Sequence, residues 1–229
     1  SKVFETLIPK ICKIFREENE ELTGFENEEI LAEYQIYKTP GYVYMKGNVQ
    51  IYSAGKQAAD ISAFPEGIAV AVGSEEDVPD ICPDQTIDKV FTIENLTSFY
   101  RFKQEHSLVI YLGGYHNHSR RNLLMQIYQK LPDAQYYHFG DLDAGGFYIL
   151  EHLKRKTGIP FQMFQMDIET LKKYEDYAKP LTENDKKRLM QLEKMELPDE
   201  ERKLITYMLQ KGIKLEQECI CLLYTSDAA

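Results

Sequence analysis

The strongest constraint on the fold is a regular alternation of strand and helix patterns between residues 86 and 166. Short apolar runs predict buried strands at residues 90–93, 108–112, 135–139 and 161–166. Apolar residues at helical spacing predict helices between them, at residues 96–102, 120–131 and 147–156. Strands that alternate with helices form parallel sheets with right-handed crossovers. The sequence therefore predicts an α/β fold, with a four-stranded parallel sheet and flanking helices.

The rest of the chain has a different pattern. Helical spacing predicts an amphipathic helix at residues 2–16 and a short second helix at 27–34. A β-hairpin is predicted next, with strands at 42–45 and 49–52 and a turn at 46–48. We therefore divide the chain into an N-terminal helical segment at 1–40, a β-rich connector at 41–85, the α/β domain at 86–220 and a tail at 221–229. The tail resembles a translated sequencing-adapter read-through, so we expect it to be non-native.

Composition narrows the classes of protein that fit. The formal net charge of −10 argues against broad electrostatic binding to nucleic acid without a local basic surface or a partner. No apolar run approaches the length of about 20 residues that crosses a bilayer, and no signal segment opens the chain. The four cysteines form no CxxC pair and no zinc-finger spacing with histidine. Reduced thiols, a cytoplasmic location and no membrane contact are therefore expected.

Three carboxylates follow two of the predicted strands. Glu94 follows the first strand, and Asp141 and Asp143 follow the third within a glycine-framed segment, residues 140–146. Ligands of open α/β sheets bind beyond the carboxyl ends of the strands, and residues i and i+2 of an extended segment point the same way. If these strands are neighbours, the acids form an all-oxygen site for Mg²⁺ or Mn²⁺. That site suits phosphodiester chemistry, with Glu94 as a metal ligand or as a general acid or base.

Other interpretations of these acids stay open. A DxD pair can cap a helix or lie in a solvated loop, and a glutamate before asparagine can mark a helix start. Phosphatases of the haloacid dehalogenase type carry DxDxT after their first strand, whereas here Gly145 stands at the Thr position, after the third strand. Glycosyltransferase DxD motifs lack the paired upstream Glu94. The two strand ends together with their glycines favour the metal site.

A family resemblance rests on the same residues. Ile93-Glu94-Asn95 and the segment 140–146 resemble the two Toprim signatures, as found in the DNA-cleaving subunit of topoisomerase VI. Residues 91–99, 111–114, 140–150 and 215–218 are together more similar to the C-terminal domain of JetD, the nuclease subunit of Wadjet anti-plasmid systems. The resemblance covers about residues 42–218. It implies a Toprim-like (Rossmann-type) catalytic domain at 86–220, with Glu94, Asp141 and Asp143 as catalytic and metal-binding residues of a DNA endonuclease.

The resemblance also implies partners. The nuclease subunit would be recruited by an SMC-like ATPase with kleisin and kleisin-associated subunits, and its substrate would be double-stranded plasmid DNA. Analogy with topoisomerase VI makes a homodimer plausible. The alternative is a catalytically inactive Toprim fold that serves as a scaffolding or DNA-binding module.

The chain departs from these relatives before residue 42. Topoisomerase VI cleaves through a tyrosine on a winged-helix domain that precedes its Toprim domain, and the segment here is too short for one. Tyr34 and Tyr37 match no motif, so water is the expected nucleophile. JetD proteins have a longer N-terminal region, so residues 1–40 are expected to be its remnant. Near the other end, Glu216 and Glu218 are either accessory acidic ligands or form a salt bridge that ties the last helix to the core.

A further set of residues is a candidate for contacts with DNA phosphates, because they follow the strands at the same edge as the acids. The set is Asn95, Gly114, His116, His118, Arg120, Arg121 and Gly145. The alternative for the histidines and arginines is a solvated helix start that pairs with surface acids. The basic run 154–156 is expected to complement a helix dipole, and His138 is expected to be a packing residue.

Overall fold

The computed structural model describes residues 2–18, 27, 30–31, 41–72, 79–113 and 118–224, in two units. The first unit, Ser1–Pro40, contains helix α1 (Lys2–Glu18), which confirms the predicted N-terminal helix. Residues 27, 30 and 31 are helical, and the other residues of the predicted second helix lie outside the described part. The small apolar core of this unit consists of Cys12, Ile30 and Leu31, with Ile8 and Phe15 against it.

The second unit, Gly41–Ala229, holds the sheets. The strands of this unit are β1 (Gly41–Lys46), β2 (Val49–Ser53), β3 (Lys56–Asp60), β4 (Ile68–Val72), β5 (Asp80–Pro83), β6 (Lys89–Ile93), β7 (Ser107–Tyr111), β8 (Gln135–Phe139), β9 (Gln162–Met163), β10 (Lys179–Pro180) and β11 (Ile213–Lys214). The helices are α2 (Leu96–Arg101), α3 (His118–Lys130), α4 (Ala144–Thr157), α5 (Ile168–Lys173), α6 (Glu183–Leu192), α7 (Asp199–Lys211) and α8 (Gln217–Tyr224).

The main sheet has six strands in the order β4-β1-β7-β6-β8-β9. Strands β7, β6, β8 and β9 are parallel, which is the α/β part that the sequence predicts. Strands β1 and β4 extend this sheet in antiparallel orientation beyond β7. The sequence therefore predicts too few strands for this sheet, because β1 and β4, from the predicted connector, add two strands to it.

The predicted β-hairpin is wrong. Strand β1 pairs with β4 and β7, whereas β2 lies in a separate sheet of three strands, in the order β3-β2-β5. Because β1 already has a hydrogen-bonded neighbour on each side, no edge of β1 is left for β2. The chain leaves β1 at Gly47, which has φ 136° and lies so close to strand β7 that a Cβ there would be 2.5 Å from the Ser107 carbonyl oxygen. Only glycine fits that turn.

Two apolar cores lie on either side of strand β6. Side chains alternate across a strand, so Phe91 and Ile93 pack in one core and Val90 in the other.

Strand β9 is shorter than the predicted strand at residues 161–166, and Gln165 beyond it has a left-handed backbone with φ 52°. Among the described residues, no helix is long and apolar enough to span a membrane.

Local sequence signals explain where several helices begin and end. Asn95 caps α2 by accepting a hydrogen bond from Ser98 N, as the sequence predicts. Thr182 and Asp185 form a capping box at α6. Helix α7 begins after Pro198, and Gly212 ends it in the left-handed conformation. Helices α2 and α4, which follow β6 and β8, begin at the carboxyl edge of the parallel strands.

Candidate metal centre

The two strands that precede the acids are neighbours. Strand β6 pairs with β8 in parallel register, with Ile93 opposite Phe139. Glu94 N donates to the Phe139 carbonyl oxygen over 3.2 Å. Glu94 therefore lies beside the loop that carries Asp141 and Asp143. This confirms the condition under which the sequence predicts a shared acidic site.

Asp141 is the most perturbed carboxylate at this edge. Burial is the main cause that raises its pKa from 3.8 to about 6, and the charges of Glu94, Asp143 and Glu216 add to the effect. A hydrogen bond of 2.7 Å from Gln217 N to Asp141 Oδ1 acts in the opposite direction. The folded chain thus concentrates negative charge where water is partly excluded.

Asp143 has a structural role as well. Its Oδ1 accepts a hydrogen bond of 2.9 Å from Gly146 N and caps helix α4. The helix-cap interpretation of the DxD pair is therefore correct for Asp143. The amino end of a helix carries partial positive charge, which favours an anion there. Gly146 is required at this turn, because a Cβ would lie 2.2 Å from the Asp141 carbonyl oxygen.

Glu94 has a buried partner, His138, which the sequence pattern assigned to packing. His138 Nε2 lies 2.9 Å from Glu94 Oε1, and His138 Nδ1 lies 2.9 Å from Thr92 Oγ1. His138 and Thr92 are both fully buried, and they are opposite each other in the β6–β8 pairing. A polar residue inside a fully buried strand was the signal that could have revealed this contact.

A second missed residue is Gln217, at the start of α8. Its side chain is fully buried, donates from Nε2 to the Phe139 carbonyl oxygen over 3.0 Å, and accepts from Asn95 N at Oε1 over 3.0 Å. Just before it, Leu215 exchanges two backbone hydrogen bonds with Leu142, the middle residue of the DxD segment. Gln217 and Leu215 thus join the ends of β6 and β8 to the last part of the chain.

The two accessory acids differ in their partners. Glu216 forms an ion pair of 2.6 Å with Lys179, and both side chains are about half exposed. This is the salt bridge that the sequence offers as the alternative to a ligand role. Glu218 Oε1 accepts a hydrogen bond of 2.6 Å from Asn95 Nδ2. Because Asn95 also caps α2, its side chain has protein partners on both polar atoms.

The candidates for DNA contacts are only partly described. Gly114 and His116 lie outside the described residues, and His118 is the first residue of α3. Arg120 donates to the backbone carbonyl oxygens of Leu112 and Tyr42. Gly145 lies in the first turn of α4. Their contacts with DNA stay predictions, as does that of Asn95.

Basic side chains do gather on helices α3 and α4. Burial lowers the pKa of His152, and the charges of Arg121, Arg155 and Lys156 lower it further. Arg155 and Lys156 are exposed. Lys154, by contrast, forms ion pairs with Glu151 and Glu201. We call Arg121, His152, Arg155 and Lys156 the basic cluster.

The acids at this edge fit a divalent cation in charge and donor type. Within the described residues, no group of three or more His, Cys, Asp or Glu side chains is arranged to hold a metal ion. The donors are nevertheless carboxylate oxygens, which Mg²⁺ and Mn²⁺ prefer. A cation there would also offset the repulsion that contributes to the raised pKa of Asp141. Metal binding stays a prediction.

The fold and the acidic edge together define a class: an α/β protein with carboxylates that follow the ends of two adjacent parallel strands. Comparison with known proteins identifies the family within that class. The model of the family described as Wadjet protein JetD, C-terminal, matches residues 76–228, and the chain belongs to this family. The match includes most of the tail that was expected to be non-native, and the origin of that tail stays untested.

One curated relative is similar along almost the whole chain. Wadjet protein JetD from Bacillus cereus (strain Q1) is 29% identical over 225 residues, which are 96% of this chain and 54% of that protein. The chain therefore spans about half the length of the curated relative it matches.

Proposed function

We propose that this chain contains the DNA-cutting site of a Wadjet-type anti-plasmid complex, a Toprim-type endonuclease that depends on Mg²⁺ or Mn²⁺. The observation that carries the proposal is the position of Glu94 beside the DxD loop, at the ends of adjacent parallel strands. The raised pKa of Asp141 supports it, because perturbed carboxylates gather at functional sites. Membership of the JetD family agrees with this assignment.

Glu94, Asp141 and Asp143 are the residues that would hold the metal. When bound, the ion would supply neutralisation of the scissile phosphate and polarisation of a water molecule. The amino end of α4 lies beside the same acids and favours a phosphate oxygen. Water is the nucleophile that we propose.

The DNA would be bound locally rather than by the chain as a whole. The net charge is −10, so the basic cluster on α3 and α4 is the surface we assign to phosphate contacts. We propose that an SMC-like ATPase with kleisin and kleisin-associated subunits delivers the plasmid, and that the active form is a homodimer.

A plasmid-nicking assay with matched variants tests the proposal. The double substitution Asp141→Asn/Asp143→Asn removes two charges but keeps an oxygen for Gln217 N and for Gly146 N, so both hydrogen bonds survive. We expect Mn²⁺-dependent conversion of supercoiled plasmid to fall at least about 100-fold, because the ligands of the metal are lost. The control is Asp167→Asn/Glu169→Gln, which also removes two charges, from exposed acids at the start of α5. Equal nicking by the wild-type chain and the double variant would refute the proposal.

A catalytically inactive scaffold is the second candidate. It is favoured by the hydrogen bonds that Asp141, Asp143 and Glu94 already make within the protein. Calorimetric titration with Mn²⁺ separates the two, since a scaffold has no need for the ion. Binding in the wild-type chain that is lost in Asp141→Asn/Asp143→Asn supports the nuclease, and no binding supports the scaffold.

A further inference from the structure

A buried chain of polar contacts leads to Glu94 from inside the sheet. Thr92 Oγ1 lies 2.9 Å from His138 Nδ1 and 3.2 Å from the Tyr137 carbonyl oxygen. On the other side of the ring, His138 Nε2 lies 2.9 Å from Glu94 Oε1. With the hydroxyl donating to Nδ1, the shorter of its two contacts, the ring proton is on Nε2 and is donated to the carboxylate. Each polar atom of this chain then has a partner.

The burial of His138 strengthens its hydrogen bond with Glu94. The His138 side chain is fully buried and the Glu94 side chain is 10% exposed, so water competes little for the bond. Hydrogen bonds to an ionised acceptor are about twice as strong as neutral ones. A carboxylate that is held at one oxygen loses rotational freedom and presents its other oxygen in a fixed direction.

Gly140 is a second sign that the contact between His138 and Glu94 is specific, because these two side chains fill the space beside it. A Cβ at residue 140 would lie 2.5 Å from Glu94 Oε1 and 2.9 Å from His138 Nε2. Glycines in a segment of this kind commonly permit close approach of a ligand to the backbone. At Gly140 the absent side chain instead leaves room for the histidine and the glutamate to meet.

We propose that His138 is the positioning residue of Glu94. It holds Oε1 of the carboxylate, through a ring that Thr92 orients, and so directs the remaining oxygen toward the ligand side of the acidic edge. His138 contacts neither DNA nor metal in this assignment. The inference rests on the proposed function, since it gives a role to a second residue of the same site. Partners of this kind change metal affinity or activity by about 10- to 100-fold when they are removed.

Two substitutions of His138 separate positioning from packing. In His138→Gln the side-chain amide can reach the place of Nε2 and donate to Glu94. In His138→Asn the shorter amide can reach only the place of Nδ1, which faces Thr92. We expect His138→Asn to lower Mn²⁺ affinity and the kcat of nicking at least about 10-fold with little change in the KM for plasmid. His138→Gln should stay within about 3-fold of the wild type. Circular dichroism and thermal melting check that both variants fold, and His106→Asn, at an exposed turn before β7, is the control histidine.

A double-mutant cycle tests whether His138 influences Mn²⁺ affinity through Glu94. If His138 acts through Glu94, His138→Asn lowers Mn²⁺ affinity in the wild type but adds nothing in a Glu94→Ala background. Additive losses would overturn the proposal. Equal losses in His138→Gln and His138→Asn would also overturn it, because they would show that the imidazole only fills space.

A readout on the metal-free chain keeps this inference separate from the proposed function. The Nε2–H proton of His138 should give a slowly exchanging ¹H–¹⁵N signal that shifts in Glu94→Ala, because the donated bond is lost. That signal could be present in a wild-type chain that neither binds Mn²⁺ nor nicks plasmid. The proposed function would then be wrong, whereas the hydrogen bond from His138 to Glu94 would be confirmed. A ring with its proton on Nδ1 alone would overturn the hold itself.

Discussion

At the scale of single residues, Asp141 carries the strongest electrostatic conflict in the site. Its carboxyl is partly buried and lies near other carboxylates, so the folded state disfavours its charge. The pKa rises from 3.8 to about 6, and a carboxyl with a raised pKa destabilises the folded state once it ionises. Stability is therefore lost as the pH rises from about 4 to 6, and it stays lost at higher pH.

Removal of that charge should stabilise the metal-free protein. In Asp141→Asn the oxygen that accepts from Gln217 N is retained, while the charge is gone. The raised pKa corresponds to at most about 3 kcal/mol, so we expect a gain of no more than that in the free energy of unfolding at pH 7.5. Urea unfolding in the presence of EDTA measures it. The gain should shrink toward pH 4.5, and Asp167→Asn at the exposed cap of α5 is the control substitution. A gain of equal size at both pH values would contradict the assignment.

The acids could be predicted from sequence and their partners could not. Glu94, Asp141 and Asp143 follow apolar runs that are typical of strands, and the carboxyl ends of parallel strands meet at one edge. The contact of His138 with Glu94 depends instead on the register between β6 and β8. Gln217 is 76 residues from Asp141 along the chain, and only the folded backbone brings them together. Local patterns carry no information about such long-range pairs.

At the scale of elements, the segment from β11 to α8 closes the acidic edge. Leu215 pairs with Leu142, and Gln217 bonds to residues that follow or end β6 and β8. Both functions of the Gln217 amide are in use, since Nε2 donates and Oε1 accepts. A glutamate of the same shape could accept from Asn95 N but would turn an oxygen toward the Phe139 carbonyl.

Gln217→Glu should therefore destabilise the chain more than its small change in volume suggests. It leaves a buried acceptor unpaired and adds charge beside Glu94 and Asp141, so we expect a loss of about 1–3 kcal/mol in the free energy of unfolding. Chemical denaturation at pH 7.5 measures the loss. The control is the adjacent Glu216→Gln, which breaks a half-exposed ion pair and should cost less than about 1 kcal/mol. Equal losses in the two variants would show that Gln217 does not fasten the segment.

The elements themselves were predictable where the pattern was local. Strand β8 begins and ends as the apolar run predicts, and α4 ends at Thr157, one residue past the end of the predicted helix. The pairing of β1 and β4 with the main sheet was not predictable, because alternation in a strand does not specify its neighbour. The hairpin prediction failed for that reason: the short turn at Gly47 suggested pairing between β1 and β2, whereas each strand finds its partners elsewhere.

At the scale of the whole molecule, the distribution of charge matters more than its sum. A net charge of −10 repels DNA at long range, and the acids at the strand ends add to that repulsion locally. The basic cluster on α3 and α4 is an exception. Burial is the main cause that lowers the pKa of His152, and the nearby charges of Arg121, Arg155 and Lys156 lower it further. Phosphate contacts at a local basic surface produce a salt-dependent affinity even in an acidic protein.

Charge reversal in the basic cluster should weaken DNA binding and flatten its salt dependence. For Arg121→Glu/Arg155→Glu we expect at least about a 10-fold loss of affinity for a short duplex. Each lost phosphate contact should also lower the slope of log affinity against log salt by about 1. Fluorescence anisotropy between about 50 and 200 mM salt measures both quantities. Lys56→Glu/Lys103→Glu makes the same change in net charge at exposed positions on β3 and before β7, so it controls for long-range repulsion. If both pairs weaken binding equally, net charge alone governs the interaction, and the DNA must approach the acidic edge from another side.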